Sequence, residues 1–221
     1  MTTKVLVLID LQKESNFGLF NLDRVISNSQ KLIAACREQG IPIIYTRQIN
    51  RMDGIGLSKG EPLKADGTPL YYADHTDQIE IIDDLKPHEG DIVIDKYRWS
   101  AFYETSLDVM LKSFGAEEVI MGGVVTDGCL MTSVFDAYFR DYEVHLVSDM
   151  VTASNRGAHQ SAMLTLANWV YNLNIYRTDE MIKKLNGQPF EHWRHEKTDD
   201  YQFTEATLNQ EFKRLTGDDL I

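Results

Sequence analysis

Apolar residues along the chain alternate between two patterns. Lys4-Val-Leu-Val-Leu-Ile9 is a continuous apolar run of strand length, the kind buried on both faces of a parallel sheet. Leu22, Val25, Ile26, Ser29, Leu32, Ile33 and Cys36 then recur at helical spacing, and Gly40 stops that helix. Residues 41–46 read as a second strand, with Pro42 near its start, where a proline is tolerated, and residues 91–95 as a third. Leu107, Met110, Leu111 and Phe114 form a helical stripe behind a Thr105-x-x-Asp108 capping pattern. Residues 119–125 make a fourth strand and lead to a helix through Met131, Val134, Phe135 and Tyr138. A fifth strand at 144–147, a helix through Ala158, Ala162, Leu166 and Val170, a sixth strand at 174–176 and a helix capped by Thr178 and ending near Gly187 complete the series.

This β-α-β alternation predicts an α/β fold, a three-layer α/β/α sandwich on a six-stranded, mostly parallel, Rossmann-like sheet. Two stretches break the rhythm. Residues 47–78 have little periodicity and several glycines and prolines, the profile of a lid or binding loop. Residues 187–221 read as a tail beyond a domain of residues 1–186. The tail holds a short helix with Thr204 as N-cap, a Phe203–Leu208 staple, and Leu208, Phe212 and Leu215 on one stripe. So short a helix must pack on the domain or on a neighbouring subunit to be stable.

Composition narrows the classes. A hydrophobic fraction of 43% with 25% charged residues is that of a globular protein and excludes a disordered chain. The 34 acidic against 22 basic residues leave a net charge of −12, which argues against a nucleic-acid surface but not against a small anion held by one or two arginines. No apolar run reaches the roughly 18 residues of a membrane span, and no cleavage-site pattern precedes the first strand, so a cytoplasmic protein with no membrane partner is expected. The two cysteines, Cys36 and Cys129, are too few for a disulfide framework or a thiolate zinc cage.

In an open α/β sheet, ligands bind beyond the carboxyl ends of the strands. Those positions carry Asp10 and Gln12 after strand one, Thr46 and Arg47 after strand two, Asp95, Lys96 and Tyr97 after strand three, and Val125, Thr126, Asp127 and Cys129 after strand four. Asp10, Lys96 and Cys129 make a nucleophile-activating set. The carboxylate takes the thiol proton, and the ammonium keeps the carboxylate ionised and stabilises the thiolate. Cys129 also opens a helix, where backbone N–H groups favour a thiolate and can receive an oxyanion.

Val7-Leu-Ile-Asp-Leu-Gln12, Asp95-Lys-Tyr-Arg-Trp-Ser-Ala-Phe102 and Gly123-Val-Val-Thr-Asp-Gly-Cys129 together resemble the isochorismatase-like cysteine hydrolases, in the expected order over roughly residues 4 to 185. The resemblance implies an Asp–Lys–Cys triad at Asp10, Lys96 and Cys129, and a cis peptide at Val124–Val125. Nicotinamidase-like members bind a metal through an Asp-x-His pair after strand two. Here that region is Tyr45-Thr-Arg-Gln-Ile-Asn-Arg51, so no metal is expected. Isochorismatases proper lack the nucleophilic cysteine, which this chain keeps. The pattern is similar to that of the metal-free amidohydrolases of carbamoyl and ureido compounds, which implies a small-molecule substrate, no cofactor and a homo-oligomer. A nicotinamidase-type amidase and a non-catalytic scaffold are the alternatives.

Each candidate has a plainer reading. A lone cysteine is ordinarily a buried filler, which fits Cys36 on its helical stripe. The N–H groups of Val125 and Cys129 are the candidate oxyanion hole. Gln12 either orders the loop after strand one or touches substrate. Arg47 and Arg51 are loop arginines, with Arg47 the candidate for a substrate carboxylate. Tyr97, Trp99 and Phe102 are pocket wall or core, and Thr126 is a substrate contact. His159 reads as a packed or capping histidine, and His192 and His195 as a solvated tail face.

Overall fold

The computed structural model describes residues 3–14, 18–195 and 203–217. The first strand, β1 (Thr3–Ile9), lies at the centre of the sheet, and its alternate side chains feed two separate cores. Val5, Val7 and Ile9 join one apolar cluster, and Leu6 and Leu8 join the other. That double burial is why the run is apolar without alternation. α1 (Leu22–Glu38) follows, then β2 (Ile43–Gln48), β3 (Ile92–Lys96), α2 (Leu107–Ser113) and β4 (Ala116–Val124). A π turn at Thr126–Leu130 runs into α3 (Met131–Tyr138). β5 (Glu143–Thr152), α4 (Arg156–Trp169), β6 (Leu173–Tyr176), α5 (Thr178–Leu185), β7 (Trp193–Arg194) and α6 (Leu208–Thr216) complete the order.

The strands are arranged β3-β2-β1-β4-β5-β6-β7. The first six are parallel, as the alternation predicted; the tail adds β7, two residues long and antiparallel to β6. Apolar residues of α2, α3, α4 and α6 pack in one core, and those of α1 and α5 in the other. The strand order reverses between β1 and β4, so the crevice at their carboxyl ends is the topological switch point. Among the described residues, no helix is long and apolar enough to cross a membrane.

Three elements differ from their sequence reading, two through tertiary bonds and one through a local turn. β5 continues through the buried polar residues Ser148 and Asp149, which reads as a strand end until their partners are known. Asp149 Oδ1 accepts from the N–H and hydroxyl of Thr178, at 2.9 and 2.7 Å, and so caps α5, while Asn28 donates to its carbonyl at 3.0 Å. The long segment after β2 is tied down by an isolated bridge between Asn50 and Ala73 and by the Asn50 side chain, which donates to Glu61 and to the Tyr71 carbonyl. α6 begins at Leu208 rather than just after Thr204, whose hydroxyl accepts from the Thr207 N–H in the turn before it.

Of the described glycines, Gly123 has the least room for a side chain. Its φ is +120°, and a Cβ there would sit 2.1 Å from the Ile9 carbonyl oxygen. Both facts demand glycine where β4 passes β1 just before the nucleophile turn. Gly123→Ala should therefore lose about 4 kcal/mol or more, from backbone strain and forced strand separation together. A urea midpoint within error of the wild type would show that the strands part at little cost.

Candidate active site

Three strand ends deliver Asp10, Lys96 and Cys129 to the switch point. Asp10 follows β1 with φ 50°, and Lys96 is the last residue of β3. Their side chains are fully buried, with Lys96 Nζ 2.7 Å from Asp10 Oδ2. Thr46 on β2 holds the other carboxylate oxygen: its hydroxyl donates to Asp10 Oδ1 at 2.7 Å. Lys96 Nζ also donates to Gln48 Oε1 at 3.0 Å and to the Arg98 carbonyl at 3.1 Å. The buried ammonium thus has three defined acceptors, which a buried charge requires.

Cys129 lies in the π turn with its side chain buried, close enough to Asp10 and Lys96 for both charges to act on its thiol. The Val124–Val125 peptide is cis. The Val125 carbonyl accepts from the N–H of Gly128 at 3.0 Å and of Leu130 at 3.2 Å, passing over the Cys129 N–H between them.

Burial and charge set the protonation states. Burial pushes the Cys129 thiol up to about 12, with Asp10 adding to the rise and Lys96 opposing it. For Lys96, burial favours the neutral amine, but the charges and hydrogen bonds of Asp10 and Cys129 outweigh it and hold the ammonium above its ordinary range. Burial therefore works against the thiolate that the backbone N–H groups at the helix start favour. Iodoacetamide labelling of Cys129 should then quicken about tenfold per pH unit from roughly pH 7 to 10, because only the thiolate reacts. A plateau reached below about pH 8 would instead reveal a preformed thiolate.

Several predicted substrate contacts have other work. Both amide hydrogens of Gln12 are committed, to the carbonyls of Gln48 and Ile79 at 3.0 Å each, and its Oε1 accepts from the Gln48 N–H. Gln12 therefore joins the first two strand ends instead of reaching a ligand. Arg47 lies between Thr46 and Gln48 on a strand, so it faces away from the triad. There it makes a two-pronged pair with Asp95, at 2.7 and 3.0 Å, and a third contact with Glu80. Arg51 is paired with Asp53. Phe102 is core, stacked on Tyr142 and covered by the Arg140 guanidinium. Tyr97 and Trp99 are exposed, and the Tyr97 ring packs against Gly56. Thr126 is fully buried, its hydroxyl bonded to His159 Nδ1 at 2.9 Å.

The structure also assembles residues that strand-end reasoning had left without a role or had not reached. Thr46 orients the base, and Gln48 orients the lysine. Tyr72, from the 47–78 segment, is the third. Its N–H donates to the buried Glu14 carboxylate at 2.6 Å, and its carbonyl accepts from the Asn50 N–H at 2.8 Å. Burial raises its phenol well above the ordinary range, and the nearby charges of Asp10, Cys129 and Glu14 reinforce that. It is thus a neutral phenol close enough to Asp10 and Cys129 to feel their charges. No periodicity signals it, since it sits in an irregular segment at φ 50°. Among the described residues, no group of three or more His, Cys, Asp or Glu is placed to hold a metal ion. In the segment after β2, Gln48 and Asn50 are engaged in the bonds described above.

Comparison with known proteins follows from this geometry. The family model described as the isochorismatase domain matches residues 4–175. Enterobactin synthase component B of Escherichia coli (strain K12) is 29% identical over 157 residues, 66% of this chain, and this chain spans only about half (50%) of that protein's length. Ureidoacrylate amidohydrolase RutB of Pseudomonas savastanoi pv. phaseolicola is 25% identical over 206 residues, covering 78% of this chain and 82% of the relative. The crystal structure of a cysteine hydrolase from Pseudomonas syringae pv. phaseolicola superposes with a TM-score of 0.74 at 25% identity, over 83% of this chain and 92% of that one.

Proposed function

The chain belongs to the isochorismatase family, and we propose that it is a cysteine hydrolase that cleaves a C–N bond of a small amide, carbamoyl or ureido compound. The observation that carries this reading is the buried Asp10–Lys96 pair in contact with the Cys129 thiol at the switch point of the sheet. The likeness to a ureidoacrylate amidohydrolase over most of both chains supports the substrate class.

Asp10 takes the Cys129 proton as sulfur attacks the carbonyl carbon, which spares the enzyme a free thiolate in a site that disfavours one. The oxyanion of the tetrahedral intermediate is received by the N–H groups of Val125 and Cys129. Asp10 returns the proton to the departing ammonia or amine as the C–N bond breaks, leaving a thioester. Water, deprotonated by Asp10, attacks the thioester; the acid departs and the thiolate recovers its proton. Lys96 stays an ammonium throughout and balances the charge that alternates between Asp10 and Cys129. Thr46 and Gln48 keep both groups aligned.

The test is ammonia release from a panel of carbamoyl amino acids, ureido acids, nicotinamide and simple amides, with Cys129→Ala as the blank. Cys129-dependent release from a carbamoyl or ureido compound is expected. Release from nicotinamide-like amides alone would move the assignment to a nicotinamidase-type amidase, and silence across the panel would favour a non-catalytic binding protein.

A further inference from the structure

The chain continues beyond the residues that the family model matches, and its last described helix packs on α4. Phe212, on α6, is buried with its ring edge-on to His159 of α4, at 5.3 Å between centroids and 65° between planes. Phe20, from the loop after β1, meets the same imidazole at 5.5 Å and 79°. His159 is itself buried, and its Nδ1 bonds the hydroxyl of Thr126. Thr126 is the first residue of the π turn, next to Val125 and three before Cys129. Gln160, the neighbour of His159, donates to Asn209 of α6 at 2.7 Å and fixes the register of the two helices. The path from the tail to the first residue of the π turn is thus one ring contact and one hydrogen bond long.

Resting on the reading of Cys129 as the nucleophile, we infer that α6 is part of the catalytic apparatus: Phe212 and His159 are positioning residues that hold the π turn, and with it the Cys129 sulfur and its N–H, in the attacking geometry. The arrangement suits such a task. In the π turn the Val125 carbonyl takes i+3 and i+5 bonds from Gly128 and Leu130 in place of the regular i+4 bond, an irregular geometry that contacts from neighbouring elements can hold. The His159 imidazole is held by ring contacts with Phe20 and Phe212 and by its bond to Thr126, so it can brace the turn from α4. Without α6 the Phe212 contact would be lost.

The experiment measures two rates at a temperature where every variant is folded: labelling of Cys129 by iodoacetamide at about pH 9, which needs no substrate, and kcat and KM on the amide that the panel identifies. Phe212→Ala and His159→Leu should each lower kcat and the labelling rate by about ten- to a hundredfold with KM nearly unchanged, the size of loss that a small misplacement produces. Phe212→Leu, a milder change, should fall between Phe212→Ala and the wild type. Thr126→Val should repeat the effect of His159→Leu. His159→Asn, whose carboxamide stands near the place of Nδ1, should restore most of both rates.

Wild-type labelling and kcat in folded Phe212→Ala and His159→Leu would overturn the inference and leave α6 a purely structural tail. Equal losses in His159→Asn and His159→Leu would overturn the Thr126 link. Normal turnover by Cys129→Ala would instead remove the nucleophile reading. The labelling arm separates these cases, since it reports on the turn whatever the substrate is.

Discussion

Cys129→Ala is expected to reduce ammonia release by at least about 10⁴-fold while leaving the protein folded. Removing the nucleophile of other hydrolases costs about this much or more, because no second group supplies the covalent route. The structural cost is small. Alanine fits the π turn, and the loss of one buried sulfur atom from a site of mixed polarity amounts to about 1 kcal/mol. Activity and stability should therefore separate cleanly: a near-normal urea midpoint with no turnover. Comparable turnover in the variant would mean that Asp10 activates water directly, and the thioester route would be abandoned. Cys129→Ser is a useful companion. It keeps the size and the hydrogen bonds but raises the energy of the ionised nucleophile, so it should also be nearly inactive.

Lys96→Met should cause the largest loss of stability among the site variants. Methionine fills the volume of the lysine stem, but the Asp10 carboxylate is then buried with only the Thr46 hydroxyl as a donor among the contacts described. Removing one partner of a buried pair leaves an uncompensated charge and costs about 3–5 kcal/mol. The deficit should shrink toward lower pH, because a carboxyl stripped of its counter-charge escapes the penalty by taking up a proton. The sign is fixed by linkage: a group that binds its proton more tightly when folded contributes stability at low pH and loses it as pH rises. Urea midpoints at about pH 5.5 and 8 measure the difference, and a deficit that grows on acidification would contradict the account. The double variant Lys96→Met/Asp10→Asn should regain most of the loss at pH 8, since it removes the stranded charge along with the pair. Turnover should not return with it, because the base has gone.

The residues outside the triad explain why the two effects differ in kind. In the proposed mechanism Cys129 supplies one atom's worth of packing and all of the covalent chemistry. Lys96 is a charge on which three other polar groups are arranged: Asp10, Gln48 and the Arg98 carbonyl. Gln48 in turn is bonded to Gln12, so disturbing the lysine is expected to loosen the ends of β1, β2 and β3 together. A substitution at Gln12 would act through this network, and its effect should appear first in stability.

Much of this protein was legible in one dimension. Continuous apolar runs separated by helical stripes specify six parallel strands, because each run must be covered on both faces. The rule that ligands gather at strand carboxyl ends makes Asp10, Lys96 and Cys129 candidates, and the three motifs in register that resemble the isochorismatase family give them their proposed roles. What periodicity cannot supply is the direction of a side chain at a strand end and the identity of its partner. Arg47 sits one residue from Thr46, yet strand alternation turns it to the opposite face, where Asp95 claims it. Gln12 has the chemistry of a ligand contact, but its donors are taken by carbonyls that only folding brings near. Tyr72 and His159 carry no local signal at all: one lies in an irregular segment, and the other looks like any packed histidine on a helix. The upward push on the Cys129 thiol likewise comes from burial, which depends on the whole fold, against a turn that by itself favours the thiolate. The sequence determined the sheet and the three candidate groups at its strand ends, since these follow from local pattern and chemical type. Tertiary structure decided their burial, their supports and the packing of the tail, since those depend on contacts between distant segments.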